Sequence, residues 1–301
     1  MEIFTMKKSL IALAMASTLG FSVAHADTKV FGVITQSVEQ TDNGSTKSWD
    51  VNNGRGGTFI GITSSEDLGD GASAYAKISL DITQESNSAA TTKDAIVGLK
   101  ASFGSVEIGR QKDLKWSMVS DAYVDRFEGA DIGIKDFGRN SNSVTYRTPS
   151  MGGFSASVQS VTDGSTGQTG ADELQYGATY SNGVVSVSVV AEDDKANNKD
   201  NLVVGGAVTM GNLRLSGAWE SLDENDGTAK IETSSVVAAM TMGSNIITAG
   251  YQTRDEGNDV KVVEAKHNFT KRTAAFVNYH ISSPQSGTDT KTFGLGLRHA
   301  F

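Results

Sequence analysis

The sequence lacks several features that would point to a secreted disulfide scaffold or a nucleic-acid-binding protein. It has no cysteine, which excludes a disulfide framework and any thiolate chemistry. Acidic residues outnumber basic ones by 35 to 26, and the net charge of −9 leaves no basic footprint for nucleic acid. Only two prolines occur in 301 residues, and no proline-rich linker divides the chain. Beyond the N-terminal region, no apolar run approaches the length of a transmembrane helix.

The N-terminal region has the pattern of a secretory signal peptide. Two lysines precede a short apolar run, and Ala24-His25-Ala26 fits a small-x-small cleavage site. The run is too short to span a bilayer, which weighs against the alternative of an N-terminal membrane anchor. We therefore expect residues 1–26 to be removed, whether translation starts at Met1 or Met6. Removal takes away two lysines and one glutamate and leaves residues 27–301 with a net charge of −10.

The rest of the chain repeats a strand, a tight turn, a second strand and a longer polar loop. About sixteen strands follow from this rhythm, an even number that returns both termini to one side. The polar segment 39–53 is assigned to the first long loop. The predicted fold is all-β, a transmembrane antiparallel up-and-down β-barrel. A soluble β-sandwich or lectin also has alternating strands, but it does not need alternating loop lengths, whereas a barrel in lipid requires up-and-down closure.

The last nine residues are the most informative part of the chain, because they alternate between two kinds of side chain. One face of an extended strand would carry Phe293, Leu295, Leu297, His299 and Phe301, and the other Gly294, Gly296, Arg298 and Ala300. The first face suits hydrocarbon and the second suits water. We therefore expect the chain to end in a membrane-spanning strand.

Three segments resemble the general diffusion porins of Gram-negative bacteria. Residues 96–111 resemble the porin hairpin before the constriction loop, 143–154 the strand and turn after it, and 293–301 the porin ending. The resemblance spans the mature chain and implies a homotrimer of sixteen-stranded barrels in the outer membrane. Each barrel would hold a water-filled pore for passive diffusion of ions and small polar solutes. The barrel assembly machinery would recognise the terminal Phe301.

The resemblance also implies a third extracellular loop that folds inward, which corresponds here to residues 112–140. This is the longest segment without strand pattern, and such a long irregular stretch is usually functional. The acidic side of the constriction would be formed by Asp113, Asp121, Asp125, Glu128 and Asp131. The alternative is a solvated surface loop whose acids have no specific role.

A basic wall is expected to face this acidic loop. Its members are Lys77, Lys93, Arg139 and Arg147. The resemblance suggests Lys93 and Arg139, and the phase of their strands suggests Lys77 and Arg147. Each has a second interpretation as a structural ion-pair partner.

One position departs from the family pattern, and the departure reduces the number of basic residues in the wall. Phe59, two residues before Gly61, stands where the family often has arginine, and Arg55 at the start of that strand is a candidate substitute. With the acidic loop and the mature charge of −10, this departure predicts a weakly cation-selective pore.

No catalytic pattern accompanies the strands. The sequence has no Gly-x-Ser-x-Gly elbow, phosphate loop, metal-spaced histidine pair or dinucleotide fingerprint, so neither an enzyme, a metal nor a cofactor is predicted. Two alternatives stay open: a barrel that acts mainly as an adhesin or structural protein, and an outer-membrane hydrolase. The expected partners are two further copies of the chain, outer-membrane lipid and lipopolysaccharide, the assembly machinery, and ions and small polar solutes, but not nucleic acid.

Overall fold

The computed structural model describes residues 26–54, 57–82, 89–119, 127–129, 132–134, 136–162, 170–255 and 257–301. The strands are β1 (Asp27–Asp42), β2 (Lys47–Asn52), β3 (Phe59–Gly69), β4 (Ala72–Asp81), β5 (Thr91–Ala101), β6 (Gly104–Lys112), β7 (Arg139–Arg147), β8 (Phe154–Val161), β9 (Glu173–Ser181), β10 (Val185–Asp194), β11 (Lys199–Met210), β12 (Leu213–Asp223), β13 (Ile231–Met242), β14 (Asn245–Arg254), β15 (Asn258–Asn268), β16 (Thr273–Pro284) and β17 (Thr290–Ala300). In the described part of the chain, the short helix α1 (Leu114–Val119) follows β6. Within these ranges no helix is long and apolar enough to cross a membrane.

The strands form one closed antiparallel barrel. From β3 onward each strand pairs with the next, and β1 pairs with both β3 and β17. The short β2 pairs with the other half of β1, so β2 and β3 are two halves of one interrupted strand and the wall has sixteen strand positions. The predicted fold class and strand number are confirmed.

Segment 39–53 was wrongly assigned to a loop. It extends β1 to Asp42 and forms β2, with a tight turn between them. The side-chain oxygen of Asn43 accepts the backbone N–H groups of Ser45 and Thr46 at 3.0 and 2.8 Å, which closes this turn. The segment is polar, so it lacks the apolar alternation on which the strand prediction depended.

Each strand has an apolar face and a polar face. On β17, Leu295 and Leu297 are 58% and 61% exposed on the apolar face, while Thr292 is buried on the polar face. The polar faces of other strands bury uncharged side chains such as Gln159 and Gln175. Because every strand except the short β2, which pairs with β1 alone, is paired on both sides, the apolar face can lie in hydrocarbon with its backbone groups paired.

Turn lengths distinguish the two ends of the barrel. The end that holds both termini has short turns, such as Gly211-Asn212 and Gly243-Ser244. The opposite end has the longer connections, including residues 113–138 and 224–230. In bacterial barrels short turns are periplasmic and long loops are extracellular, and we assign the two ends accordingly.

The terminal residue takes part in closing the barrel. Gly32 and Phe301 exchange two backbone hydrogen bonds, each 3.1 Å long. The Phe301 ring lies over Gly32, so that a Cβ added there would stand 2.5 Å from the ring. Glycine at position 32 therefore leaves room for the terminal aromatic side chain.

We predict that Gly32→Ala destabilises the barrel by about 1–3 kcal/mol, because the new methyl group meets atoms that cannot all move away. Besides the ring, it would lie 2.7 Å from the backbone oxygen of Phe59. Gly138→Ala is the matched control, since its methyl group meets no atom within 4 Å. Urea titrations of refolded protein, followed by heat-modifiable gel mobility, measure the effect. Identical midpoints for Gly32→Ala and the unmodified protein would contradict the prediction.

Candidate functional site

The segment between β6 and β7 packs against the polar face of the barrel wall through an apolar cluster. Side chains of the segment in this cluster are Leu114, Val119, Phe127, Ile132 and Ile134. The wall contributes Val190, Val203, Ala218, Val237 and Val262, from five different strands. These apolar side chains on an otherwise polar face were missed by sequence reasoning. Burial of such side chains stabilises the position of the segment.

Polar side chains of the wall accept hydrogen bonds from the backbone of the same segment. Gln175 accepts from Leu114 at 2.6 Å, and Glu220 accepts from the N–H of Asp136 at 3.2 Å. Gln252 accepts from Gly133, and Glu264 accepts from Glu128 and Gly129 at 3.0–3.1 Å. The wall thus supplies acceptors for backbone groups that no strand ladder pairs.

Asp113 joins the two ends of the segment. Its carboxylate accepts the N–H of Trp116 at 2.6 Å and that of Gly138 at 2.7 Å, and its own N–H donates to the Gly138 carbonyl. The residue is 3% exposed, and burial raises the pKa of its carboxyl group to about 6. The first predicted constriction acid therefore lies at the base of the segment, where it also caps the start of α1.

Lys115 is enclosed by two carboxylates. Its side chain is 2% exposed, and its Nζ contacts Glu192 of β10 and, at 3.2 Å, Asp136. Gln175 donates to the other oxygen of Glu192 at 3.1 Å. A buried cation needs such partners, since an unpaired buried charge is strongly destabilising. The ion pair fixes α1 to the wall.

Glu128 is the other predicted acid that the described residues include. Its carboxylate lies 3.1 Å from Lys266 Nζ and 3.5 Å from Arg298 Nε. It therefore links the segment to β15 and β17. The remaining three predicted acids, Asp121, Asp125 and Asp131, lie outside the described residues.

The four residues of the predicted basic wall converge on the polar face of β4–β7, and each has a carboxylate partner. The pairs are Lys77–Asp94 at 2.7 Å, Lys93–Asp81 at 2.6 Å, Arg139–Asp94 at 2.8 Å and Arg147–Glu107 at 3.5 Å. The structure thus brings the predicted wall together and also pairs each member.

Two aromatic rings lie in contact with cations of this region. Lys93 Nζ is 4.9 Å from the centre of the Phe59 ring, so the departure from the family pattern gives a cation–π contact. Lys112 and Arg139 each lie 4.5 Å from the Trp116 ring of α1. The proposed substitute Arg55 lies outside the described residues. Among the residues described, no cluster of three or more His, Asp or Glu could hold a metal ion.

Comparison with known proteins assigns this architecture to one family. Residues 9–300 match the family model described as Gram-negative porin. Outer membrane porin protein 32 from Delftia acidovorans is 26% identical over 356 residues, which cover 98% of this chain and all of that protein.

Two solved structures share the fold. An anion-selective porin from Comamonas acidovorans has a TM-score of 0.73 at 20% identity, over 92% of this chain and 100% of that one. OmpT of Vibrio cholerae in its trimer form has a TM-score of 0.68 at 15% identity, over 92% and 99% of the two chains. At these identities the likeness concerns the fold alone.

We predict that Lys115→Met loosens α1, because Glu192 then stays buried without its cation. Loss of one partner of a buried pair costs about 3–5 kcal/mol, which would speed amide exchange in residues 114–119 by about 100-fold or more. The double variant Lys115→Met/Glu192→Gln should recover much of this loss. Lys195→Met, whose exposed side chain lies 3.8 Å from Asp193, is the control. Unchanged hydrogen exchange in Lys115→Met would refute the role of the pair.

Proposed function

The chain belongs to the Gram-negative porin family of the outer membrane, and on that premise we propose that it forms a water-filled channel for passive diffusion of ions and small hydrophilic solutes. The observation that carries the proposal is the closed wall of sixteen strand positions with an exposed apolar face and a polar face. Barrels of this size are too wide for side chains to fill. Family membership indicates a channel rather than an enzyme.

The precursor would begin with the signal peptide, residues 1–26, followed by the barrel domain, residues 27–301. β1 starts at Asp27, next to the proposed cleavage site. The signal-peptide residues before Ala26 lie outside the described residues. Sequencing the N-terminus of protein from purified outer membranes tests the boundary, and any other first residue argues against it.

We propose that the segment between β6 and β7, residues 113–138, lies in the lumen and narrows it. Its apolar cluster and its hydrogen bonds with the polar face of β9–β15 support this position. The open passage would then run between the segment and the polar face of β4–β7. Carboxylates of the segment and cations of that wall would set a transverse field across the passage.

We propose a weak preference for cations. Support comes from the mature net charge of −10 and from the acids predicted for the segment. The preference should be weak because the four cations of the wall also line the proposed passage, where they lie beside wall carboxylates and leave that side with little net charge. The Comamonas acidovorans porin is anion-selective, and at 20% identity its selectivity does not carry over to this chain.

We propose that three copies assemble in the membrane, since OmpT of Vibrio cholerae, which shares the fold, has a trimer form. Outer-membrane lipid, lipopolysaccharide and the assembly machinery, which would read Phe301, are the other proposed partners. The exposed apolar face of the strands supports a lipid environment. Analytical ultracentrifugation in detergent should give three times the mass of one chain, and the mass of one chain would rule out the trimer.

We predict two different effects from two changes in the segment. Deletion of residues 121–131 removes bulk and should raise single-channel conductance in a planar bilayer. Glu128→Gln removes only charge and frees Lys266 and Arg298, so the reversal potential in a salt gradient should shift toward anions. Asp193→Asn, an exposed acid of β10, is the charge control.

The two measurements separate the parts of this proposal. If neither variant changes conductance or reversal potential, the segment lies outside the passage, although the channel stands. If the unmodified protein gives no conductance steps at all, the channel proposal fails and the adhesin or structural alternative gains.

A further inference from the structure

A cavity of about 540 Å³ lies on the polar face, away from the basic wall of β4–β7. It is bounded by Gly133, Ile134 and Phe137 of the segment and by the long-loop ends of β14, β15 and β16. Its polar lining includes Gln252, Arg254, Asn258 and Ser282, and its apolar lining includes Phe137. This volume is in the range of cavities that hold small molecules. The cavity would therefore meet solutes on the extracellular side before they reach the constriction.

Arg254 is the charged side chain in the described lining of this cavity, and none of the described residues forms an ion pair with its guanidinium. Its Nε donates a long hydrogen bond of 3.4 Å to the Thr233 hydroxyl. In the part of the chain that the structure describes, its terminal nitrogens have neither a hydrogen bond nor a carboxylate within 4 Å. This contrasts with Lys77, Lys93, Arg139 and Arg147, each of which has a carboxylate partner. A half-buried guanidinium with open N–H groups favours a bidentate anion.

The neighbouring polar groups are also donors. The Gln252 side-chain oxygen accepts the N–H of Gly133, and its amide nitrogen has no partner among the described residues. The Ser282 hydroxyl oxygen accepts from Asn258 Nδ2 at 2.8 Å, which leaves its hydrogen available. Guanidinium, amide and hydroxyl donors around one cavity suit an oxygen-rich ligand. The Phe137 ring, which also lines the cavity, offers a surface for a carbon skeleton.

We propose that this cavity binds a small hydroxylated carboxylate of sugar-acid size. Its carboxylate would lie on Arg254, its hydroxyl groups on Gln252 and Ser282, and its ring against Phe137. A single negative charge matches Arg254, the one cation in the described lining, whereas a doubly charged phosphate would add a charge near Glu220, which acts electrostatically on Arg254. The proposal rests on the channel function, because it gives the channel a preferred class of solute.

Glucuronate and glucose are the matched probes, since they differ in one carboxylate. Glucuronate should interrupt the potassium current of single channels, and glucose should need an about tenfold higher concentration for the same effect. Arg254→Gln should weaken the glucuronate effect about tenfold, and Ser282→Ala should weaken it less. Arg214→Gln is the control, because it removes an arginine from the polar face at the short-turn end.

Calorimetric titration of the detergent-solubilised protein should give the same ranking without any need for conduction. Heat-modifiable mobility shows whether each variant has folded, and Ser282→Ala provides the second test if Arg254→Gln does not fold. Equal effects of glucuronate and glucose, or equal affinities of the unmodified protein and a folded Arg254→Gln variant, overturn the proposal. A protein that binds glucuronate but does not conduct would refute the channel function and leave the binding site standing.

Discussion

The structure depends on one constraint: backbone N–H and C=O groups in contact with hydrocarbon must all be paired within the protein. Closure between β1 and β17 satisfies it for the wall, down to the two hydrogen bonds between Gly32 and Phe301. The segment between β6 and β7 packs against the polar face and not against hydrocarbon, but its buried backbone groups also need partners, and its described part contains little regular structure. Side chains of the wall, such as Gln175 and Glu264, take the place of a neighbouring strand as acceptors. Wall and segment are therefore stabilised by one requirement.

The number of strands, and the residues that each strand places on its apolar and polar faces, could be predicted from the sequence. The reason is that alternation of apolar and polar residues follows directly from strand geometry. The anchoring of the segment could not be predicted, since it uses apolar residues on the polar face. A signal was present: Val190, Val203, Val237 and Val262 each belong to a Val-Val pair that breaks the alternation. Such a pair puts one valine toward lipid and the other toward the segment. Alone, however, a pair of valines also fits an ordinary buried strand.

The basic wall shows why side-chain partners are harder to predict than faces. On β4, alternation puts Lys77 and Asp81 on one face, but on β5 it would separate the adjacent residues Lys93 and Asp94. A shift of register between β4 and β5 lets both reach the polar face, where Lys93 meets Asp81 and Asp94 meets Lys77 and Arg139. Such irregularities re-aim side chains. They depend on how two strands pair, which one strand's sequence does not encode.

Charge is distributed in two ways along the polar face, and the difference has a functional consequence. On β4–β7 cations and carboxylates lie 2.6–3.5 Å apart, so they create a local field with little net charge. Such pairs orient a passing solute, but they bind it weakly because its charge must compete with a partner already in place. Arg254 has no such partner among the described residues, so an anion there would replace water rather than a carboxylate. Passage and binding can therefore be set by different residues of the same wall.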